Sequence, residues 1–406
     1  MSKPEGQPEA TGLLLPEGDA PFARLVALRR AEAFRLLKAH AAAGDLEVAS
    51  ALAEVVRKGR DEAVPVLMNP AAAVLARSDR FALAGDAWML ELAHRGLLKK
   101  RFVLRGQRVI SLPLRLSIAW RQGVRVTLSS RSLELNGGGP ARTLSLTREA
   151  LRDARDPRLT ITTTFEPLLD ASEHGQILFA LDDPNPLAMV EAHPEKDGNA
   201  LSLGDFGTSE WTRALSEALA LISQHLPSVV DEMRLLSLLV IPVGYHAEKH
   251  VSASYREYVG ACYLTLHPNV FTLAEALVHE FQHNKANLAS HHDPLLENAQ
   301  GTLVRSPVRP DLRPLWGVLL AVHAFVPVAE LFLRIWKSGE LCGRFPSRES
   351  GVLDRLRDVI QKNEDALQTL HKHARPTRIG AMLIEEMRAL HAVHRAAFLG
   401  ARERAS

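Results

Sequence analysis

The sequence predicts an α+β protein with a helical N-terminal module, mixed and mainly antiparallel strands, and a helical C-terminal part carrying an HExxH metal-binding motif. Three patterns predict it. An Ala-, Leu- and Arg-rich stretch has helical spacing, short alternating apolar runs follow it, and an amphipathic segment contains His279-Glu280-Phe281-Gln282-His283. We divide the chain into a disordered tail (1–20), a helical module (21–100), a β-rich segment (101–170) and a catalytic domain (171–404).

The composition is that of an ordinary globular protein. The 406 residues are 46% hydrophobic, and 49 basic residues nearly balance 47 acidic ones, for a net charge of +2. A charge this small gives no reason to expect nucleic acid or membrane binding. The two cysteines, Cys262 and Cys342, cannot form a disulfide framework or a thiolate zinc site, which favours a reducing cytoplasm.

Neither the polar N-terminal stretch nor the most apolar stretch of the chain predicts a targeting segment or a membrane span. Met1 to Gly18 is polar and lacks a signal-peptide core, so we interpret it as part of the disordered tail. The most apolar stretch, Trp316 to Ile335, includes Glu330 and Arg334, so we expect no membrane span.

The remaining secondary structure follows from local signals. Breaks at Gly44-Asp45, Lys58-Gly59 and Asn69-Pro70 predict three to five helices up to Lys100. Further on, we expect antiparallel strands over 101–146, strands at 159–165 and 176–181, a helix from Thr208 or Ser209 to His225, a buried strand over 233–243, a strand over 260–266, a helix from about Leu315, and two helices broken at Arg375-Pro376.

The HExxH motif is the strongest chemical signal. In a helix, His279 and His283 lie one turn apart on one face and can hold one metal ion, with Glu280 beside them. The helix is predicted independently, because Thr272 to Glu275 has capping-box spacing and Pro268 interrupts the segment before it. The sequence therefore predicts a metal site.

A second set of candidate ligands precedes the motif. His246, Glu248 and His250 alternate, so a strand would place all three on one face. Gly244 and the polar run from Ser252 to Ser254 flank them, which favours an exposed loop instead.

Two histidines leave a metal in need of a third protein ligand. The candidates are His323, Glu297 and Glu330, and we favour His323 because Pro327 removes the hydrogen bond to its carbonyl and should loosen the helix there. The spacing permits zinc hydrolysis with Glu280 activating a water, or iron oxygenation with an arginine gripping a co-substrate carboxylate. A non-catalytic peptide-binding protein is the third possibility.

Several segments in this order resemble one bacterial family. They are Val251-Ser252-Ala253-Ser254, Gly260-Ala261, Leu277 to Lys285, Arg309-Pro310-Asp311-Leu312-Arg313-Pro314-Leu315-Trp316-Gly317, and His323-Ala324-Phe325. The family is that of the 2-oxoglutarate-dependent HExxH-type peptide β-hydroxylases, which modify ribosomally made precursor peptides. The resemblance covers about 245–336 most clearly and does not extend into 1–150.

The resemblance implies a set of roles. Iron(II) would be held by His279, His283 and His323, and 2-oxoglutarate would be bound with Arg309 or Arg313 on its far carboxylate and with Ser252 and Ser254 nearby. Glu280 would then order water or hydrogen bonds in place of acting as a hydrolytic base. The identity of the peptide and the oligomeric state stay open.

Overall fold

A computed structural model describes residues 11–16, 20–78, 80–172, 175–189, 192–193, 196–248, 250–305, 311–339 and 349–405. The chain forms two compact units, each assembled from separated stretches. Unit 1 comprises Met1–Leu28, Ala214–Met233 and His267–Ser406, and unit 2 comprises Arg29–Arg213 and Arg234–Leu266. The α+β class is confirmed.

Five helices lie in the described part of the first hundred residues, within the predicted number, and the three predicted breaks separate the first four of them. Asp45 accepts a hydrogen bond from Val48 N, and Asn69 accepts one from Ala71 N, so both residues cap the helices that follow. The helices are α1 (Ala20–Ala42), α2 (Leu46–Lys58), α3 (Arg60–Leu67), α4 (Pro70–Arg77) and α5 (Phe81–His94).

Antiparallel strands follow, also as predicted. A four-stranded sheet has the order β1-β4-β5-β6 and a three-stranded sheet has the order β2-β3-β7. Gly137, at φ 90°, closes one turn where a Cβ would lie 2.5 Å from the Gly123 carbonyl oxygen. The elements are β1 (Phe102–Val103), β2 (Arg108–Ser111), β3 (Leu116–Trp120), β4 (Arg125–Ser129), β5 (Ser132–Asn136), β6 (Arg142–Ser145), α6 (Arg148–Arg152) and β7 (Leu159–Thr163).

A five-stranded mixed sheet completes unit 2, in the order β13-β14-β12-β9-β8. Its strand β12 runs parallel to both β14 and β9, and Leu239, Ile241 and Tyr263 are buried in its core. The strands are β8 (Phe165–Pro167), β9 (Leu178–Ala180), β12 (Leu239–Tyr245), β13 (Ser252–Ala253) and β14 (Ala261–Leu266), and β10 (Ala192–His193) pairs separately with β11 (Lys196–Asp197).

One predicted strand boundary is wrong. The buried strand expected over 233–243 begins only at Leu239, because the preceding helix continues to Leu235. That apolar run therefore holds a helix end, a turn and a strand, which burial alone does not distinguish. The helices here are α7 (Thr208–His225) and α8 (Pro227–Leu235).

Unit 1 is mainly helical, and α10 packs against α9, α11 and α12. A short hairpin of β15 and β16 precedes α10. The elements are α9 (Val270–Ser290), β15 (Leu303–Arg305), β16 (Leu312–Pro314), α10 (Leu315–Lys337), α11 (Glu349–His373) and α12 (Arg378–Ala405).

Part of the predicted disordered tail is folded. Residues 1–10 and 17–19 lie outside the described residues, but Thr11–Leu14, which we call the N-terminal strap, is buried in unit 1. Thr11 Oγ1 donates to Glu386 Oε2 at 2.8 Å, and the Leu14 carbonyl accepts from Lys285 Nζ at 3.2 Å. The tail interpretation is wrong for the strap because Leu13 and Leu14 supply apolar side chains to a core that is distant in sequence.

The predicted apolar helix α10 is largely buried within the protein. It is the one helix among the described residues that is long and apolar enough to cross a membrane, and 83% of its most apolar window is buried within the protein. Burial of this extent is typical of the core helix of a soluble protein.

Candidate metal centre

The motif histidines lie on α9, as the sequence predicts. The helix begins earlier than the capping box implies, because Asn269 Oδ1 accepts a hydrogen bond from Phe271 N at 3.1 Å and caps it there. Thr272 is consequently inside the helix, and its predicted capping role is wrong. His279 and His283 still fall one turn apart, well inside the helix.

His279, Glu280 and His283 form a converging donor group. One ligand atom from each lies within 4.8 Å of the other two, and the histidine ring centroids are 4.4 Å apart. Among the described residues this is the one group of its kind. The Nδ1 atom of His283 is buried without a hydrogen-bond partner in the described part of the chain. Two imidazoles, one of which has an unsatisfied ring nitrogen, and one carboxylate fit a divalent transition metal.

Electrostatics favour the metal-binding form of His283. Burial lowers the pKa of His283, and the nearby charge of Glu280 opposes that shift without reversing it. Neutral imidazole carries the lone pair that coordinates a metal, so the ring is in its ligand form at neutral pH. Glu280 itself is 2% exposed.

His323, the predicted third ligand, is not brought into this group. It is fully buried on α10, and its Nε2 donates to the Leu13 carbonyl at 2.8 Å. Burial first, then the charge of Lys285, lowers the pKa of His323 to about 3. The Nδ1 atom makes no hydrogen bond of good geometry within the described residues, although the backbone of Gln282 lies near enough to the ring to oppose the lowering of its pKa. The role of His323 as the third ligand stays a prediction.

The two carboxylate alternatives lie elsewhere. Glu297 is exposed. Glu330 Oε2 is 2.9 Å from His394 Nε2, and its Oε1 accepts from Arg334 Nε at 2.6 Å. Burial alone would raise the pKa of Glu330, but these hydrogen bonds outweigh it and lower the pKa to about 2. Neither carboxylate belongs to the HExxH donor group.

The predicted co-substrate residues are only partly placed. Arg309 lies outside the described residues, and Arg313, in β16, has its Nε 2.8 Å from Asp311 Oδ2. Ser252 belongs to β13 of unit 2, where it pairs with Leu264, and Ser254 follows it. Their roles toward 2-oxoglutarate stay predictions.

The histidine row before the motif is a loop. His246 and Glu248 are exposed and lie outside any strand, and Glu248 N donates to His246 Nδ1 at 3.3 Å. The loop interpretation is therefore confirmed for these two residues.

Three residues near the motif were missed from the sequence. The Phe325 ring lies 4.6 Å from the His279 ring, and the Arg355 guanidinium lies 5.6 Å from the Phe325 ring. Arg355 Nε donates to Glu275 Oε2 at 2.9 Å. Glu275 could have been found, since it precedes His279 by one helical turn, but Arg355 comes from α11 and carries no local signal.

No protein-family model matches the chain, and no curated protein matches it.

Proposed function

We propose that the protein is an iron(II)- and 2-oxoglutarate-dependent dioxygenase that hydroxylates a side-chain Cβ in a ribosomally synthesised precursor peptide. The observation that carries the proposal is the convergence of His279, Glu280 and His283 within 4.8 Å. Two histidines and one carboxylate with open positions form the donor set associated with non-haem iron oxygenases. The motif order from Val251 to Phe325 supports the same activity.

His279 and His283 would hold the metal, and each has a defined setting for the task. Phe325 packs against the His279 ring and limits its rotation, while burial keeps His283 neutral. His323 is the predicted third ligand, and Glu280 is the carboxylate that the converging donor group itself contains. Whichever of the two is not a ligand would orient water or a neighbouring group.

The metal, when bound, would couple oxidative decarboxylation of 2-oxoglutarate to peptide hydroxylation, with one oxygen atom entering succinate and the other the peptide, as carbon dioxide leaves. Arg309 and Arg313 remain the proposed partners of the co-substrate carboxylate, because arginine binds carboxylates in a bidentate manner. Arg355 contacts Phe325, which packs against His279, but Arg355 is already paired with Glu275 and Asp358.

A zinc-dependent peptidase is the second candidate, and one observation favours it. Glu280 lies beside both histidines within the same group, where it could act as the base for a metal-bound water. The two candidates differ in metal, oxygen requirement and product.

The test begins with protein prepared without oxygen and loaded with iron(II) or zinc. With iron, 2-oxoglutarate and oxygen, we expect succinate and a mass gain of one oxygen atom on the precursor peptide encoded beside the gene. His279→Ala should abolish both products, whereas His371→Ala, a substitution of an exposed histidine on α11, should leave them unchanged. Peptide cleavage by the zinc form without oxygen would establish the second candidate and overturn the first.

We also propose a cytoplasmic location and a substrate that is a peptide, without nucleic acid or membrane partners. Cys262 is a buried thiol outside any disulfide of the described residues, which is compatible with a reducing compartment. Secretion of the native protein with Cys262 oxidised would contradict this location.

A further inference from the structure

A groove in unit 2 takes no part in the proposed metal centre. It lies between α2, α5 and the chain that leads into β1, and its volume is about 400 Å³. Its apolar lining includes Met89, Leu98 and Phe102, which are 0%, 5% and 2% exposed. This volume is sufficient for a large side chain together with part of a peptide backbone.

The groove adjoins the unpaired edge of a sheet. β1 is the terminal strand of the sheet β1-β4-β5-β6 and pairs only with β4 within the described residues. Its outer edge can therefore form main-chain hydrogen bonds with another extended chain. Val103, next to the lining residue Phe102, is 44% exposed, and Leu46, next to the lining residue Glu47, is 68% exposed. An added strand would cover apolar surface as well as the strand edge.

The charge of the lining selects the partner. Arg57, Lys99 and Lys100 line the groove and have no ion-pair partner in the part of the chain that is described. Two acidic residues, Glu47 and Glu54, also line the groove, and Glu47 lies 3.5 Å from Arg105, which Asp45 binds as well. With Arg101 included, four basic residues outnumber these two acidic ones, so the net charge of the lining is positive and attracts a negatively charged partner.

We propose that this groove binds an extended, acidic peptide segment, which adds a strand to β1 and inserts an apolar side chain into the cavity. Main-chain pairing provides affinity, the cavity selects an apolar side chain, and Lys99 and Lys100 select acidic neighbours. The identification of this segment as a part of the precursor peptide, remote from the hydroxylated residue, rests on the proposed function. The binding event itself does not.

The test uses the full chain without added metal and a labelled synthetic peptide of about ten residues that alternates leucine with glutamate, as a strand requires. Fluorescence anisotropy should show saturable binding that weakens at least about 10-fold in the Lys99→Glu/Lys100→Glu variant and weakens with salt. The matched Lys337→Glu/Lys372→Glu variant reverses two exposed lysines outside the groove and should bind as the native chain does.

Three further probes separate the peptide from other anions. A lysine-for-glutamate peptide should not bind, and a peptide N-methylated at alternate residues should bind at least about 10-fold more weakly because it lacks strand donors. A single-stranded oligonucleotide of equal charge should bind more weakly than the acidic peptide. Equal binding of the N-methylated peptide or of the oligonucleotide would overturn strand addition, as would native affinity in the double groove variant.

A last comparison separates this inference from the proposed function. The His279→Ala variant should bind the acidic peptide as the native chain does, because the groove residues are intact. If hydroxylation is established, the Lys99→Glu/Lys100→Glu variant should raise KM for the complete precursor and leave kcat unchanged. The same variant should not change KM for a precursor that lacks the acidic segment. An equal rise in KM for the complete and the shortened precursor would refute the assignment of the segment.

Discussion

Two histidine pairs on long helices of unit 1 have opposite surroundings. On α9, His279 and His283 converge with Glu280 into one donor group. On α12, His391 and His394 point to separate carboxylates, since His391 Nε2 is 2.9 Å from Glu364 Oε2 and the other ring is bound in the same way by Glu330.

The difference separates a ligand pair from a structural pair. Arg395 binds Glu364 and Arg334 binds Glu330, so each carboxylate of the α12 pair is shared between a histidine and an arginine. Such three-residue networks fix helix packing and leave no converging site. Spacing does not distinguish the two pairs, because residues four apart and residues three apart both share a helix face. Burial and partners, more than spacing, therefore decide what a helical histidine does.

The contrast between the two histidine pairs would fail if both pairs bound metal. We expect His279→Ala or His283→Ala to weaken iron(II) or zinc binding by at least about 100-fold, because each removes a donor. His391→Ala should leave metal binding unchanged. Metal content after equilibrium dialysis measures both, and retention of full metal content by both α9 variants would remove the site assignment.

Stability should respond in the opposite pattern. His394→Ala removes one of the two partners of Glu330, whose side chain is 12% exposed, and we expect a loss of about 2–3 kcal/mol in the free energy of unfolding. His391→Ala should cost about 1 kcal/mol, because Glu364 is 27% exposed and better solvated. Urea denaturation gives both values. An equal loss in the two variants would mean that carboxylate burial is not the cause.

The Glu330 network also predicts an acid dependence. The pKa of Glu330 is lowered to about 2 from 4.5, so the contribution of this carboxylate to stability is complete above pH 4.5 and is lost as pH falls toward 2. Between about pH 5 and about pH 3 we expect the native chain to lose about 1–2 kcal/mol more stability than Glu330→Gln, which cannot be protonated. Urea denaturation at the two pH values tests it, and parallel losses would contradict the network.

The smallest expected effect concerns the support of His279. Phe325→Ala should weaken metal binding by about 10-fold, since the His279 ring would lose the surface that restricts its rotation. Phe325→Leu keeps most of the contact and serves as the control. Metal titration in the presence of a competing chelator provides the measurement, and an equal effect of both substitutions would assign the loss to aromatic contact instead of packing.

Local signals predicted most of the fold. Asn69-Pro70 separates two helices and β14 leads into α9, both as expected. Turn residues and apolar runs determine the structure of only a few neighbouring residues, so they can be interpreted locally. The strand expected from Met233 began at Leu239, since an apolar helix end and an apolar strand look alike.

The candidate site was predictable only where its residues share a helix. His279, Glu280 and His283 are near in sequence, so the 3.6-residue period brings them together. Phe325 and Arg355 reach the same region from α10 and α11, and no periodicity relates separate helices. His323 was selected because Pro327 follows it, yet its Nε2 donates to the carbonyl of Leu13, which no local signal placed in a core.

The N-terminal strap has a consequence for synthesis. Thr11 pairs with Glu386, 375 residues later in the chain. At roughly 5–20 residues per second, a ribosome would release the second partner tens of seconds after the first. The Leu14 and Leu13 carbonyls can pair with Lys285 and His323 as soon as these residues have been synthesised, whereas the Thr11 contact forms only after Glu386 has followed them. Deletion of the strap would consequently act on a late step in the assembly of the helices that carry the histidines.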